Sequence, residues 1–258
     1  MTEGDEGSRR RTPSVSAASV RVNDEATAPS QVDDEGHEDG SYIVGSTLPP
    51  PLLPLPNYYD WRTTYPQLQL LLDNIEILKA EAKTVHTWIP WPEDHYSKVD
   101  GSKADWTVFP FVHTFPATDS SKMTWIGSTN AHCPRSSVLL HQVDGLRTAL
   151  FSRLGPKTKL SLHTGWDDLA NHVLRCHINL DIPTTGTCGL FVDGETRLHE
   201  PDDIVVFDDS KTHGAFNDSL TDARVVLIID LLRPPGVPPG RAKGGHTAEL
   251  DSFIAKFK

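Results

Sequence analysis

From Ala149 to Pro234 the chain breaks into short apolar runs, each closed by turn residues, and this rhythm restricts the possible folds more than any other feature. Candidate strands are Ala149–Leu154, Lys159–His163, Val173–Ile182, Gly189–Val192, Thr196–His199, Ile204–Phe207 and Arg224–Leu232. Gly155-Pro156, Pro183 to Gly186 and Asp193-Gly194 supply turns between them. Closely spaced strands that follow helices predict a mainly β chain with flanking helices, folded as a double-stranded β-helix: a cupin-like jelly roll.

The helices come first. Leu68, Leu71, Ile75, Leu78 and Ala82 recur at spacings of three and four, which predicts one helix with a single apolar face between Pro66 and Lys83. A shorter helix is expected near Ser136 to Val143, and Trp88 to Pro116 reads as an aromatic, proline-rich stretch. Charge then separates a tail from the rest. Residues 1–40 carry ten acids against four arginines and almost no large apolar side chains, so burial cannot offset their chain entropy. The sequence reading is a disordered acidic tail at 1–40 and one domain at 41–258, with its β core at about 149–234. The LPPPLLPLP run from Leu48 to Pro56 is expected to be stiff and extended.

Composition removes several function classes. A net charge of −11 opposes binding to nucleic acid or anionic lipid, and every apolar run falls short of the roughly 20 residues of a membrane span. Cys133, Cys176 and Cys188 lack zinc spacing and cannot form a dense disulfide framework. With no charged-then-apolar leader, the expected location is cytoplasmic.

The chemistry gathers in the β half. His163 ends the run KLSLH, His213 follows the acidic turn FDDSKTH, and Arg224 opens the next strand. A jelly roll can bring a strand end and the turn before a later strand together at its mouth, where two neutral imidazoles can hold Fe(II). An arginine on the adjacent strand can grip a dicarboxylate through a bidentate pair, which points to 2-oxoglutarate. In VLRCHINL, alternation places Val173, Arg175, His177 and Asn179 on one face and Leu174, Cys176, Ile178 and Leu180 on the other. Arg175 and His177 facing a shared interior would be costly unless a ligand or charged partner met them. Eight further histidines, His86, His95, His113, His132, His141, His172, His199 and His246, are read as surface or core residues, and Asp208 and Asp209 as turn formers.

Seven segments together resemble the aspartyl/asparaginyl β-hydroxylase-like Fe(II)/2-oxoglutarate oxygenases: DWTVFPF, the Cys133-Pro134 pair, ALFSRLGP, LHTG, NHVLRCHINLDIP, FDDSKTHGAFN and ARVVLIIDLLRP. The resemblance implies that His163 and His213 bind iron. It also implies that Arg175 and His177 meet the oxo-acid end of 2-oxoglutarate, and that Arg224 with Ser152 holds the distal carboxylate. Non-haem iron oxygenases usually place a carboxylate two residues after the first histidine, where this chain has Gly165. The hydroxylases it resembles share that glycine and use water there, while Asp167 or Asp168 offers a replacement carboxylate.

The expected activity is oxidation of an unactivated C–H bond with O2 as co-substrate. The expected substrate is a small molecule, a free or carrier-bound small aliphatic amino acid, hydroxylated or oxidatively cyclised as in valine to aziridine. That preference rests on Val173, which replaces an arginine of the animal hydroxylases and would line the substrate pocket with Asn179. The alternatives are β-hydroxylation of Asp or Asn residues in a protein and, outside catalysis, a metabolite-binding barrel.

Overall fold

Main-chain pairing in the computed structural model sorts the strands into two antiparallel sheets. The structure describes residues 55–93, 96–98 (backbone only) and 105–257, which fall within one unit, Leu52–Lys258. The segment 1–40, and the proline-rich run as far as residue 54, lie outside the described residues.

In chain order the strands begin with β1 (Tyr58–Tyr59), β2 (Ile89–Pro90), β3 (Tyr96–Lys98), β4 (Trp106–His113), β5 (Thr124–Trp125), β6 (Leu146–Leu154) and β7 (Thr158–Leu160). They continue with β8 (Val173–Asp181), β9 (Cys188–Val192), β10 (Glu195–Leu198), β11 (Ile204–Phe207), β12 (His213–Asn217) and β13 (Arg224–Leu232). The larger sheet runs β1-β11-β8-β13-β6-β4-β2, with β5 beside β4, and the smaller runs β10-β9-β12-β7-β3. Two sheets of this order with flanking helices form the jelly roll the strand rhythm predicts.

The larger sheet is covered on both faces. On one, Leu174, Cys176, Ile178 and Leu180 of β8 join Phe151, Leu227 and Ile229 in the main apolar cluster. Leu68, Leu71, Ile75, Leu78 and Ala82 pack into the same cluster, so the predicted helical stripe is the stripe that is buried. It is carried by two helices, α2 after α1 (Trp61–Thr64), and not by one. After a 3-10 turn at Pro66–Leu68, α2 (Gln69–Asp73) ends at Asn74 and α3 (Ile75–Thr84) begins. The Asn74 amide donates to the Leu70 carbonyl at 2.9 Å, a side-chain bond that competes with helical backbone bonding.

On the opposite face, Val108, Leu154, Val205 and Phe207 of the larger sheet meet Leu190, Val192 and Ala215 of the smaller one. Arg175, His177 and Asn179 alternate with the apolar residues of β8 and therefore point into this intersheet space. Register places Arg175 beside Asp230, His177 beside Ile228 and Asn179 beside Val226, which is itself paired with Ser152.

Four further elements flank the sheets: α4 (Gly127–His132), α5 (Pro134–Leu140), α6 (Asp167–Ala170) and α7 (Ala248–Ala255). The expected strand at Lys159–His163 is shorter. β7 stops at Leu160, and the chain rejoins the smaller sheet only through an isolated bridge between His163 and His213. All three cysteines are buried and free.

Candidate functional site

The His163–His213 bridge forms the base of the site. Each residue donates its main-chain N–H to the other's carbonyl, at 2.9 and 2.8 Å, and the two rings lie 4.4 Å apart between centroids. The side chains repeat one local contact. His163 Nδ1 bonds to the Ser161 carbonyl at 2.7 Å and His213 Nδ1 to the Lys211 carbonyl at 2.9 Å. A carbonyl only accepts, so each Nδ1 carries the proton and each Nε2 keeps a lone pair for a metal. Burial lowers the His213 pKa to about 4, so that ring is neutral at physiological pH.

Asp209 stands beside the pair and was not anticipated as a site residue. Its neighbour Asp208 does form a turn: it accepts from Ser210 N and Oγ and pairs with Arg233. Asp209 instead is fully buried, with Oδ1 3.2 Å from His213 Nε2 and 2.6 Å from Arg175 Nη1. Its Oδ2 has no hydrogen-bond partner among the described residues. A Cβ at position 165 would overlap that Oδ2 and come within 2.7 Å of Ala170 Cβ. Gly165 thus leaves room for a carboxylate that arrives from another part of the chain.

Arg175 is shared between two buried acids. Its Nε and Nη2 bind Asp230 at 2.8 and 3.0 Å, and Nη1 binds Asp209. Thr148 also donates to Asp230. Three of the guanidinium's five N–H donors are committed, leaving two for a ligand. One cation against two carboxylates leaves the cluster one negative charge in excess, and a cation seated on the two histidines would balance it.

Deeper between the sheets the imbalance reverses. Arg224 is 1% exposed, and its Nη2 donates to Ser152 Oγ at 3.4 Å. Nε and Nη1 have no partner among the described residues, and burial lowers the pKa to about 10. Ser152 Oγ also accepts from Trp106 Nε1 at 3.0 Å. His177 is buried with Nδ1 unpaired, and burial holds its pKa well below the usual range. Each buried polar group left unsatisfied costs about 1–3 kcal/mol, so this region is built for a ligand rich in acceptors.

An open cavity adjoins His163, walled largely by Trp91, Trp106, Trp166, Phe115 and Phe253. Arg175, Asp230 and Thr148 give it a polar end. Val173 and Asn179, expected in a substrate pocket, are not among its lining residues. Val173 is buried with Ala117 and Leu169, whereas Asn179 donates from Nδ2 to the Glu200 carbonyl at 2.8 Å. Asp167 and Asp168 open α6, where Asp168 Oδ1 lies 3.2 Å from His246 Nε2. Among the described residues, no three His, Cys, Asp or Glu side chains form a metal-holding group. The two imidazoles, with Asp209 beside them, are the candidate metal-holding groups of this site.

The family model described as Aspartyl/Asparaginyl beta-hydroxylase matches residues 72–234, and so spans every group just described except His246 and the cavity wall from α7. The chain belongs to this family. Among similar proteins, the ornithine lipid ester-linked acyl 2-hydroxylase of Rhizobium tropici is 32% identical over 103 residues, covering 40% of this chain and 35% of that protein. Mouse aspartate beta-hydroxylase domain-containing protein 2 is 28% identical over 199 residues, covering 71% and 53%. The chain thus spans about a third to a half of these relatives' length. A 2OG-Fe(II) oxygenase-family oxidoreductase from Burkholderia pseudomallei shows 11% identity and a TM-score of 0.47, covering 66% of this chain and 83% of its own. The family is one of hydroxylases, hence of oxidoreductases. No helix among the described residues is long and apolar enough to cross a membrane.

Proposed function

We propose that this protein is an Fe(II)- and 2-oxoglutarate-dependent oxygenase. One observation carries the reading: a guanidinium, Arg224, buried with no carboxylate partner among the described residues, in the same intersheet space as the paired imidazoles. A dicarboxylate answers that orphaned cation, and a metal answers the excess negative charge around Asp209. His163 and His213 would hold Fe(II) through Nε2, with Asp209 accepting a hydrogen bond from water in the coordination sphere. Arg224 and Ser152 would hold the distal carboxylate, while His177 and the two uncommitted donors of Arg175 meet the oxo-acid end. Once bound, Fe(II) and 2-oxoglutarate supply oxidation of an unactivated C–H bond by O2, with succinate and CO2 as coproducts.

The protein's own task is placement. The Nδ1–carbonyl contacts fix both imidazole tautomers, Asp230 and Asp209 orient Arg175, and the aromatic wall keeps water from the face where a substrate would lie. Titration of the anaerobic protein with Fe(II) and then 2-oxoglutarate tests this, because the chelate has a weak visible charge-transfer band. A folded protein that develops no band would overturn the proposal.

For the substrate, the apolar wall beside His163 supports an aliphatic group over a carboxylate, because Arg175 at the polar end is shared between Asp209 and Asp230 and in this reading turns its remaining donors to 2-oxoglutarate. A free or carrier-bound small aliphatic amino acid is the reading adopted, by hydroxylation or by cyclisation. Aspartyl or asparaginyl residues of a protein are the second reading, favoured by the family's name. Succinate release with free valine, isoleucine and leucine, compared with Asp- and Asn-containing peptides, separates the two. The Rhizobium relative is named for an acyl group, so an acyl substrate belongs in the same panel. Turnover with peptides alone would reverse the preference.

A further inference from the structure

His199 is a buried polar group left without a task. It is 4% exposed, yet neither Nδ1 nor Nε2 has a hydrogen-bond partner among the described residues. A histidine kept for structure would spend at least one ring nitrogen on a neighbour, as His163 and His213 do. The His199 ring lies 5.6 Å from that of His177, and Arg224 is the charged group that acts on it. The unpaired atoms of His199, His177 and Arg224 therefore share one buried region.

Its backbone position gives this meaning. Ser152, His177 and Arg224 all stand on the larger sheet, on β6, β8 and β13. His199 follows β10 at the edge of the smaller sheet, so it reaches the region from the opposite wall. Two bonds hold it there. Its own N–H donates to the Cys188 carbonyl at 2.9 Å, and the next residue's carbonyl, that of Glu200, accepts from Asn179 Nδ2 at 2.8 Å. The ring is thus presented by a fixed stretch of backbone.

We propose that His199 is a cosubstrate-binding residue, donating one imidazole N–H to the carboxylate held by Arg224 and Ser152. A neutral imidazole has one N–H in either tautomer, so a donor is always present. Burial first, and then the positive charge of Arg224, keep the ring neutral. A third donor from the facing sheet would clamp the carboxylate between the two layers. The inference rests on the oxygenase reading, since it requires a dicarboxylate at Arg224.

Calorimetric titration of Mn(II)-loaded protein under argon tests it with two ligands: 2-oxoglutarate, and 2-oxobutyrate, which keeps the oxo-acid end but lacks the distal carboxylate. Loss of one hydrogen bond to a charged group predicts that His199→Phe weakens 2-oxoglutarate about tenfold while 2-oxobutyrate changes by less than about twofold. His199→Gln, which retains an N–H donor, should recover part of the loss. The melting temperature of His199→Phe without ligand should equal or exceed wild type, because two unsatisfied nitrogens are removed. An equal loss for both oxo acids, or unchanged 2-oxoglutarate binding, overturns the role of His199 and leaves the oxygenase reading standing. Wild-type protein that binds neither oxo acid overturns both.

Discussion

A side chain at position 165 would have to take the space of Asp209, so the glycine and the buried acid form one local solution. Gly165→Ala should displace Asp209, and because its Cβ also crowds Ala170, Fe(II) binding measured by anaerobic titration should weaken. Asp209→Asn isolates charge from shape. Burial raises the Asp209 pKa to about 6, so its ionised form opposes folding in metal-free protein. A raised acid pKa favours the native state fully below the unfolded value, and that advantage disappears as pH climbs through the folded one. The Asp209→Asn variant without metal should therefore melt higher than wild type at pH 7.5, with the difference shrinking as pH falls from about 6 towards 4. Equal melting temperatures across this range would show that Arg175 fully compensates the charge. Sequence carried the spacing of His213, Arg175, His177 and Arg224, because each sits at a strand end or on one face of a strand, and that of His163, which lies just beyond β7 in an isolated bridge. It carried no sign of Asp209, since FDDSKT is composed as a turn and the burial of its second acid depends on a glycine 44 residues earlier.

Among the elements, legibility followed side-chain periodicity and failed where the backbone alone decides. The stripe from Leu68 to Ala82 was readable, although the Asn74 amide divides it into two helices. Leu78 lies at its centre with no exposure, and Leu78→Ala should cost about 2–4 kcal/mol in denaturant unfolding while leaving iron binding unchanged. A cost below about 1 kcal/mol would mean that the cluster repacks around the gap. β12 went unread because His-Gly-Ala-Phe-Asn shows no apolar alternation; it pairs with both β9 and β7 through its main chain. β4 was hidden by Pro110, a residue that argues against an interior strand. The structure accommodates it where the register with β6 shifts between Pro110 and Val112.

At the scale of the molecule, two layers enclose opposite charge imbalances: excess negative charge near the histidines and, at Arg224, a cation with no carboxylate partner among the described residues. Replacing a buried, unpaired charge with an apolar side chain removes a desolvation penalty. Arg224→Leu should therefore raise the melting temperature of ligand-free protein and abolish its rise on adding 2-oxoglutarate. For wild type, ligand at about 100 times its Kd should add about 2.7 kcal/mol of stability. A variant less stable than wild type that still responds to 2-oxoglutarate would assign Arg224 a structural role. The paired main-chain hydrogen bonds between His163 and His213 bear on time as well as affinity. The two backbones cannot part unless both bonds break, and the Nδ1–carbonyl contacts hold the rings, so in the proposed reading the two nitrogens are already together when iron arrives. In stopped flow, iron capture should be a single bimolecular phase whose rate rises linearly with Fe(II) concentration. A rate that saturates would reveal a gating step, in which the bridge opens and closes before the metal is held.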